Sequence, residues 1–176
     1  LENNKLNFLA KIKTNLTEDG LSDKKLSLIK DALLKIEGEF NFASNSINIE
    51  SFKFSSLHSN LDGVMSINFL DDLLTGVVNY NSSIMEYLFS EHKSLKSLFT
   101  GKIYFSGKLS SPHITTDSHI SIVDGEQNYV QLPSLNWKSD FIFNQKGVSG
   151  KISLDGGGIK AYGEIGKDRS KFYLKD

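Results

Sequence analysis

The chain has 176 residues, with 20 Lys and Arg against 21 Asp and Glu for a net charge of −1, no cysteine, and 39% hydrophobic residues. That length suits one domain with a real core, and the interspersed charge offers no basic face for nucleic acid and no like-charged tail. Disulfides, thiolate chemistry and cysteine-ligated zinc are excluded, no apolar run approaches the roughly 18 residues of a membrane helix, and no stretch of these residues reads as a signal peptide, so targeting is expected from outside them.

Near the N-terminus Leu6, Phe8, Ala10 and Ile12 alternate with polar neighbours, the period of a half-buried strand that ends near "TEDG". In "LSDKKLSLIKDALLK", Leu26, Ile29 and Leu33 keep helical spacing behind a cap at Ser22, and this helix competes with an extended reading through Leu34, Ile36, Phe40 and Phe42. From Ile36 to Tyr80 the chain reads as an antiparallel meander, "IEGEFNF", "INIESFKF", "LDGVMSINF" and "LTGVVNY", with Asn, Ser and Asp at the junctions. Within "INIESFKF" the apolar positions move from Ile47 and Ile49 to Phe52 and Phe54, which predicts a bulge.

The segment "SSIMEYLFSEHKSLKSLF" breaks this rhythm. Ile84, Leu88, Glu91, Leu95 and Leu98 share a face behind a capping box of Ser83 and Glu86, so a helix is expected from about Ser83 to Leu98, lying over the sheet edge or groove mouth. Strands resume through "GKIYFSGKL", "HITTDSHISIV", "YVQL", "SDFIFNQ", "GVSGKISL" and "IKAYGEI", and "DGGGIK" reads as a hairpin turn because it lacks the phosphate-loop pattern.

One motif recurs throughout: an apolar residue, a spacer, a glycine, a spacer, then apolar residues on alternate positions, as in "FTGKIYF". Its glycines at 38, 63, 76, 101, 150 and 163 fall at near multiples of a unit of roughly a dozen residues, the spacing of short strands in an all-β sheet. The glycine reads as a mark at the start of each strand, where a bend or close backbone approach needs it.

Chemistry is sparse. His113 and His119 are six residues apart on one strand, about 20 Å at the strand rise, too far to share a metal; Asp71 and Asp72 read as a turn. No nucleophile elbow or triad can be assembled, so an enzyme is the less favoured class and no cofactor is called for. What remains is the apolar stripe, with two readings open. It is either an ordinary sandwich or barrel core, or an uncapped sheet whose concave face takes an apolar guest. On the second reading the lining consists of Phe40, Phe42, Ile47, Ile49, Phe52, Phe54, Met65, Ile67, Phe69, Val78, Tyr80, Ile103, Phe105, Leu109, Ile120, Ile122, Phe141, Phe143, Ile152 and Leu154, with Gly101 setting the bend in its strand.

The stretch from "IEGEFNF" through "SSIMEYL" resembles the recurrent block of AsmA-like proteins: glycine-marked strand, hairpin, second glycine-marked strand, interruption, further strand. "FTGKIYFSGKLSSPHITTDSHISI" is similar to the strand, glycine, Ser-Pro turn and returning strand of that family and of its relative TamB. The resemblance covers most of residues 36 to 165; the helix expected after Ser83 is longer than the family pattern, and its N-terminal membrane anchor does not appear. It implies a long curled antiparallel sheet, taco-shaped or half-tubular with an open groove, here as one β-rich domain over residues 1 to 176 with one or two short helices, cut from a longer repeat protein. It further implies a periplasmic location, attachment to the inner membrane through a segment outside this chain, phospholipid acyl chains as guests, outer-membrane assembly proteins as partners, and no nucleic acid. Two rivals share the alternation: a structural or adhesive β-repeat module without lipid, and a closed lipocalin-like cup.

Overall fold

A computed structural model describes residues 4–14, 31–83, 95–124, 131–145, 147–166 and 170–175. Eleven strands follow one another: β1 (Lys5–Lys13), β2 (Leu33–Asn41), β3 (Ser46–Ser55), β4 (Ser59–Asn68), β5 (Leu73–Ser82), β6 (Leu95–Lys108), β7 (Ser111–Asp124), β8 (Gln131–Asn144), β9 (Gly147–Gly156), β10 (Ile159–Ile165) and β11 (Ser170–Lys175). They form a single antiparallel sheet in strict chain order, an uninterrupted meander that does not close into a barrel. Substantial contacts join only neighbouring strands, so no second layer of described residues lies against either face.

The expected bulge is present. Glu37 pairs with Ser51 but Gly38 with Ile49, and Ile49 pairs with Met65 while Phe52 pairs with Gly63, so one extra residue of β3 is absorbed between Ile49 and Phe52. A second shift lies between Ile120 and Ile122, opposite β8.

The hairpins at one end of the sheet repeat a single design. In "NFASN" the side-chain oxygen of Asn41 accepts the backbone N–H groups of Ala43 and Ser44, and Asn45 turns the chain with φ of 45°. In "NFLDD" Asn68 does the same for Leu70 and Asp71, and Asp72 has φ of 53°. The turns are then stitched along the sheet: the Phe69 and Leu109 N–H groups donate to the carbonyls of Asn45 and Asp72 in the preceding turns, and the Phe42 N–H donates to the carbonyl of Asn4, just before β1. At the opposite end Gly157 and Gly158, both with positive φ, make a two-residue hairpin of the kind that twisted strands favour, as "DGGGIK" predicts.

Two expectations need correction. No helix occurs among the described residues: Leu95 to Phe99, the end of the segment read as a helix, belong to β6, where they pair with Asp124 to Ile120 of β7. A local 3.6 period lost here to fourteen residues of cross-strand pairing, as tertiary context commonly outweighs weak local preference. The remainder of that helix, and of the one read behind Ser22, lies outside the described residues, except that Leu33 begins β2 and the extended reading through Leu34, Ile36 and Phe40 holds. The recurring glycines are also placed differently: Gly38, Gly63, Gly76, Gly101, Gly150 and Gly163 lie within strands, not at their starts.

Candidate functional site

Residues directly opposite one another in an antiparallel pair project to the same side of the sheet, and successive residues of a strand to opposite sides. Tracing the pairs from Ile103 therefore assigns each position to a face. Ile103 pairs with Val78 and Thr116, Val78 with Gly63, Gly63 with Phe52, Phe52 with Ile36 and Ile36 with Ala10. In the other direction Thr116 pairs with Ser139, then Ile152, Gly163 and Phe172. One row thus crosses all eleven strands without a charge. The parallel row through Phe105 runs from Phe8, Gly38, Ile49, Met65 and Gly76 to Ile114, Phe141, Gly150 and Ile165.

Among paired positions with described side chains, Asp, Glu, Lys and His occur only on the other face. There Lys5 meets Glu39 at 3.0 Å, Lys138 meets Asp117 at 3.6 Å and Lys151 meets Glu164 at 3.9 Å, all substantially exposed except the half-buried Glu39. Such pairs add little stability in water; they mark the wet side. His113 and His119 also lie on it, each held by its own partner on β8: His113 Nε2 by Asp140 Oδ1 at 2.6 Å, and His119 Nδ1 by Asn136 Oδ1 at 3.0 Å. Single apolar residues such as Leu9, Val64, Leu98 and Ile142 are scattered among the charges, an ordinary feature of protein surfaces.

The structure brings nearly all of the expected lining together. Phe40, Ile47, Ile49, Phe52, Phe54, Met65, Ile67, Val78, Tyr80, Ile103, Phe105, Ile120, Phe141, Phe143, Ile152 and Leu154 share the uncharged face. Ile122 pairs with Ser97 and Leu132 in the same ladders. Phe42, Phe69 and Leu109 instead occupy the three equivalent turn positions; the Phe42 ring still meets Phe40 edge-on at 4.7 Å, while Phe69 is exposed.

The same face holds residues that sequence reading left out of the lining. Leu61, Leu74, Phe99, Ile114, Leu135 and Trp137 belong to it, with Phe8 and Ile12 on β1 and Phe172 and Leu174 on β11. The signal for Phe99 was its place at the head of "FTGKIYF", in step with Ile103 and Phe105; Trp137 was masked by Ser139, which breaks the apolar alternation before Phe141.

The glycines explain how the face is shaped locally. All six share the parity of the apolar residues, so each leaves a gap on the uncharged side. A Cβ added to Gly101 would stand 2.5 Å from the Asp117 carbonyl oxygen of β7, and one added to Gly76 would stand 2.8 Å from that of Val64 in β4. Neighbouring backbones come closer on this face than any other residue permits. Larger side chains lean into the gaps, with Tyr80 reaching over Gly101 to donate its hydroxyl to Ser118.

Few of these apolar groups are fully covered. Ala32, Leu74, Val78 and Ile120 are the buried apolar residues among those described, and none of the large side chains is completely enclosed. Between the side chains lie two adjoining cavities. One of about 530 Å³ is walled by β4 to β8, with Tyr80, Phe99, Ser118 and Trp137 among its lining. The other, of about 240 Å³, is bounded by Ile49, Phe52, Met65 and Phe105, and Leu61 and Ile103 stand between the two. Among the described residues no group of Asp, Glu and His is arranged to hold a metal ion. The smaller cavity offers apolar contact alone, and the larger adds hydroxyl groups to its apolar lining.

Comparison of the chain with family models, with curated proteins and with solved structures finds no match.

Proposed function

We propose that this chain is a segment of a periplasmic AsmA-like protein whose sheet curls into an open half-tube, and that its uncharged face shields phospholipid acyl chains on their way between inner and outer membrane. One observation carries this reading: the strand register sorts the described charges at paired positions onto one face and leaves a mainly apolar face, eleven strands wide, with no second layer of described residues over it. A face of that extent left in water is unfavourable by roughly 25 cal/mol per Å² of apolar surface, so an apolar guest is the natural cover. An acyl chain fits, since each buried methylene contributes about 0.8 kcal/mol, and headgroups can remain in water at the open side. Transport also requires release, and successive equivalent rows of Phe, Ile and Leu offer a path without one deep trap. Outer-membrane assembly proteins are the partners that go with this reading, and membrane attachment belongs to a segment outside the chain.

The glycines support the curl. Close backbone approach on one side only bends the strands toward that side, as glycine kinks and bulges do in strongly curved sheets. The closed-cup alternative loses its premise because the sheet is open. The structural-module alternative predicts that the apolar face is covered by protein alone.

Native mass spectrometry of the chain purified from a bacterial host separates these. Co-purified phospholipid, displaced by added fatty-acyl detergent, is the expected result; a chain that carries none and takes up none when offered it would leave the structural module.

A further inference from the structure

The uncharged face is not uniformly apolar: its polar groups are hydroxyls, and most of them gather around one cavity. Tyr80 donates to Ser118, Thr116 and Ser139 share a hydrogen bond of 2.7 Å, and Ser59 and Ser82 share another of 2.7 Å; all six line the cavity of about 530 Å³. Ser118 and Ser139 are each only 6% exposed. The adjoining cavity of about 240 Å³ has no hydroxyl in its lining. A hydroxyl group in the middle of an apolar face weakens water exclusion and is poor design for a plain hydrocarbon slide, so its function needs a polar guest atom.

The available hydrogen-bonding capacity identifies that atom. Ser118 accepts from Tyr80 and so retains its own proton; in the Thr116–Ser139 pair whichever hydroxyl accepts retains one too. The chamber therefore presents neutral donors, with no lysine or arginine among its lining residues to balance an anion. Burying an unpaired phosphate or carboxylate there would be costly, whereas a neutral carbonyl oxygen needs only the donors present.

We infer that the Tyr80, Ser118, Thr116 and Ser139 cluster is a recognition site for the ester carbonyl of an acyl lipid, with the acyl chain passing between Leu61 and Ile103 into the apolar cavity. The inference rests on the proposed lipid function and specifies its substrate: an ester-linked acyl chain held at the linkage, with the charged headgroup outside.

The test compares monopalmitoylglycerol with its ether analogue hexadecylglycerol, which matches it in length and headgroup but has no carbonyl, as competitors for a fluorescent fatty-acyl probe on the intact chain. The ester is expected to bind roughly tenfold more tightly, the equivalent of one to two neutral hydrogen bonds. In the S118A/S139A variant the two should bind alike, at the affinity of the ether for the unaltered protein. T116V, which keeps the volume and removes one hydroxyl of the second pair, should lose part of the preference if the double variant fails to fold. Equal binding of ester and ether to the unaltered chain would overturn the carbonyl site while leaving the lipid face intact. Failure of both to displace the probe, or of the probe to bind, would overturn the lipid reading and this inference together.

Discussion

The glycine at position 101 and the isoleucine two residues on make opposite demands of the same face. Gly101 must have no side chain, because a Cβ would meet the Asp117 carbonyl at 2.5 Å. Gly101→Val should therefore destabilise the sheet by about 1–3 kcal/mol, the range of overpacked cores. Thr100→Ala on the other face should fall within about 0.5 kcal/mol of the parent. Urea denaturation of both variants checks the contrast, and equal effects would remove the close approach from the account. Ile103 stands between the two cavities and is only half-buried. An aspartate there can be hydrated when no guest is present, so Ile103→Asp should cost at most about 2 kcal/mol. Val78, buried beside it, should cost several when changed to Asp. Thermal or chemical melts of the two variants read this out, and comparable collapse of both would point to a packed core instead of an open face.

At the scale of the element, the bulge in β3 keeps Phe52 and Phe54 on the side where Ile47 and Ile49 already lie. Deleting Glu50 removes the extra residue and restores plain alternation, with both phenylalanines still on the uncharged face. Deleting Glu50 and Ser51 together turns them toward the charges. The single deletion should fold with a loss of about 1–2 kcal/mol, and the double deletion should lose at least twice that. Circular dichroism with denaturant titration distinguishes them, and the reverse order would show that the register is set otherwise. This bulge was legible in the sequence because parity changes there from odd to even. The meander was legible for the same reason, as was the face on which the glycines stand: Phe99, Gly101, Ile103 and Phe105 are all odd. Reading the glycine as the start of a strand failed because alternation shows parity and not where a ladder begins. At Leu95 to Leu98 the expected helix gives way to strand because β7, more than a dozen residues further on, holds those four residues extended. The hydroxyl cluster was not legible at all. Its members come from β5, β7 and β8, and register alone brings Tyr80, Ser118 and Ser139 together.

For the whole molecule the decisive property is that sheet order equals chain order and no described element lies across either face. The outermost strands carry exposed apolar groups as well, Leu6 and Ile12 on β1 and Phe172 and Leu174 on β11, the last 83% exposed. With no charge among the described side chains at paired positions of the uncharged face, salt should have little leverage on an apolar guest there. Acyl-probe affinity is expected to change less than about twofold between low and high ionic strength, whereas headgroup binding by the charged face would weaken markedly. Fluorescence titration at the two salt concentrations provides the comparison. The most direct measurement of the central claim is site-specific photo-crosslinking in cells, with a benzophenone amino acid placed at Ile103 in one variant and at the adjacent Lys102 in another. The two positions differ by one residue and by the face on which they stand. Phospholipid crosslinked at 103 and absent at 102 is the predicted result; crosslinks to protein alone at 103, or lipid captured equally at both, would contradict it.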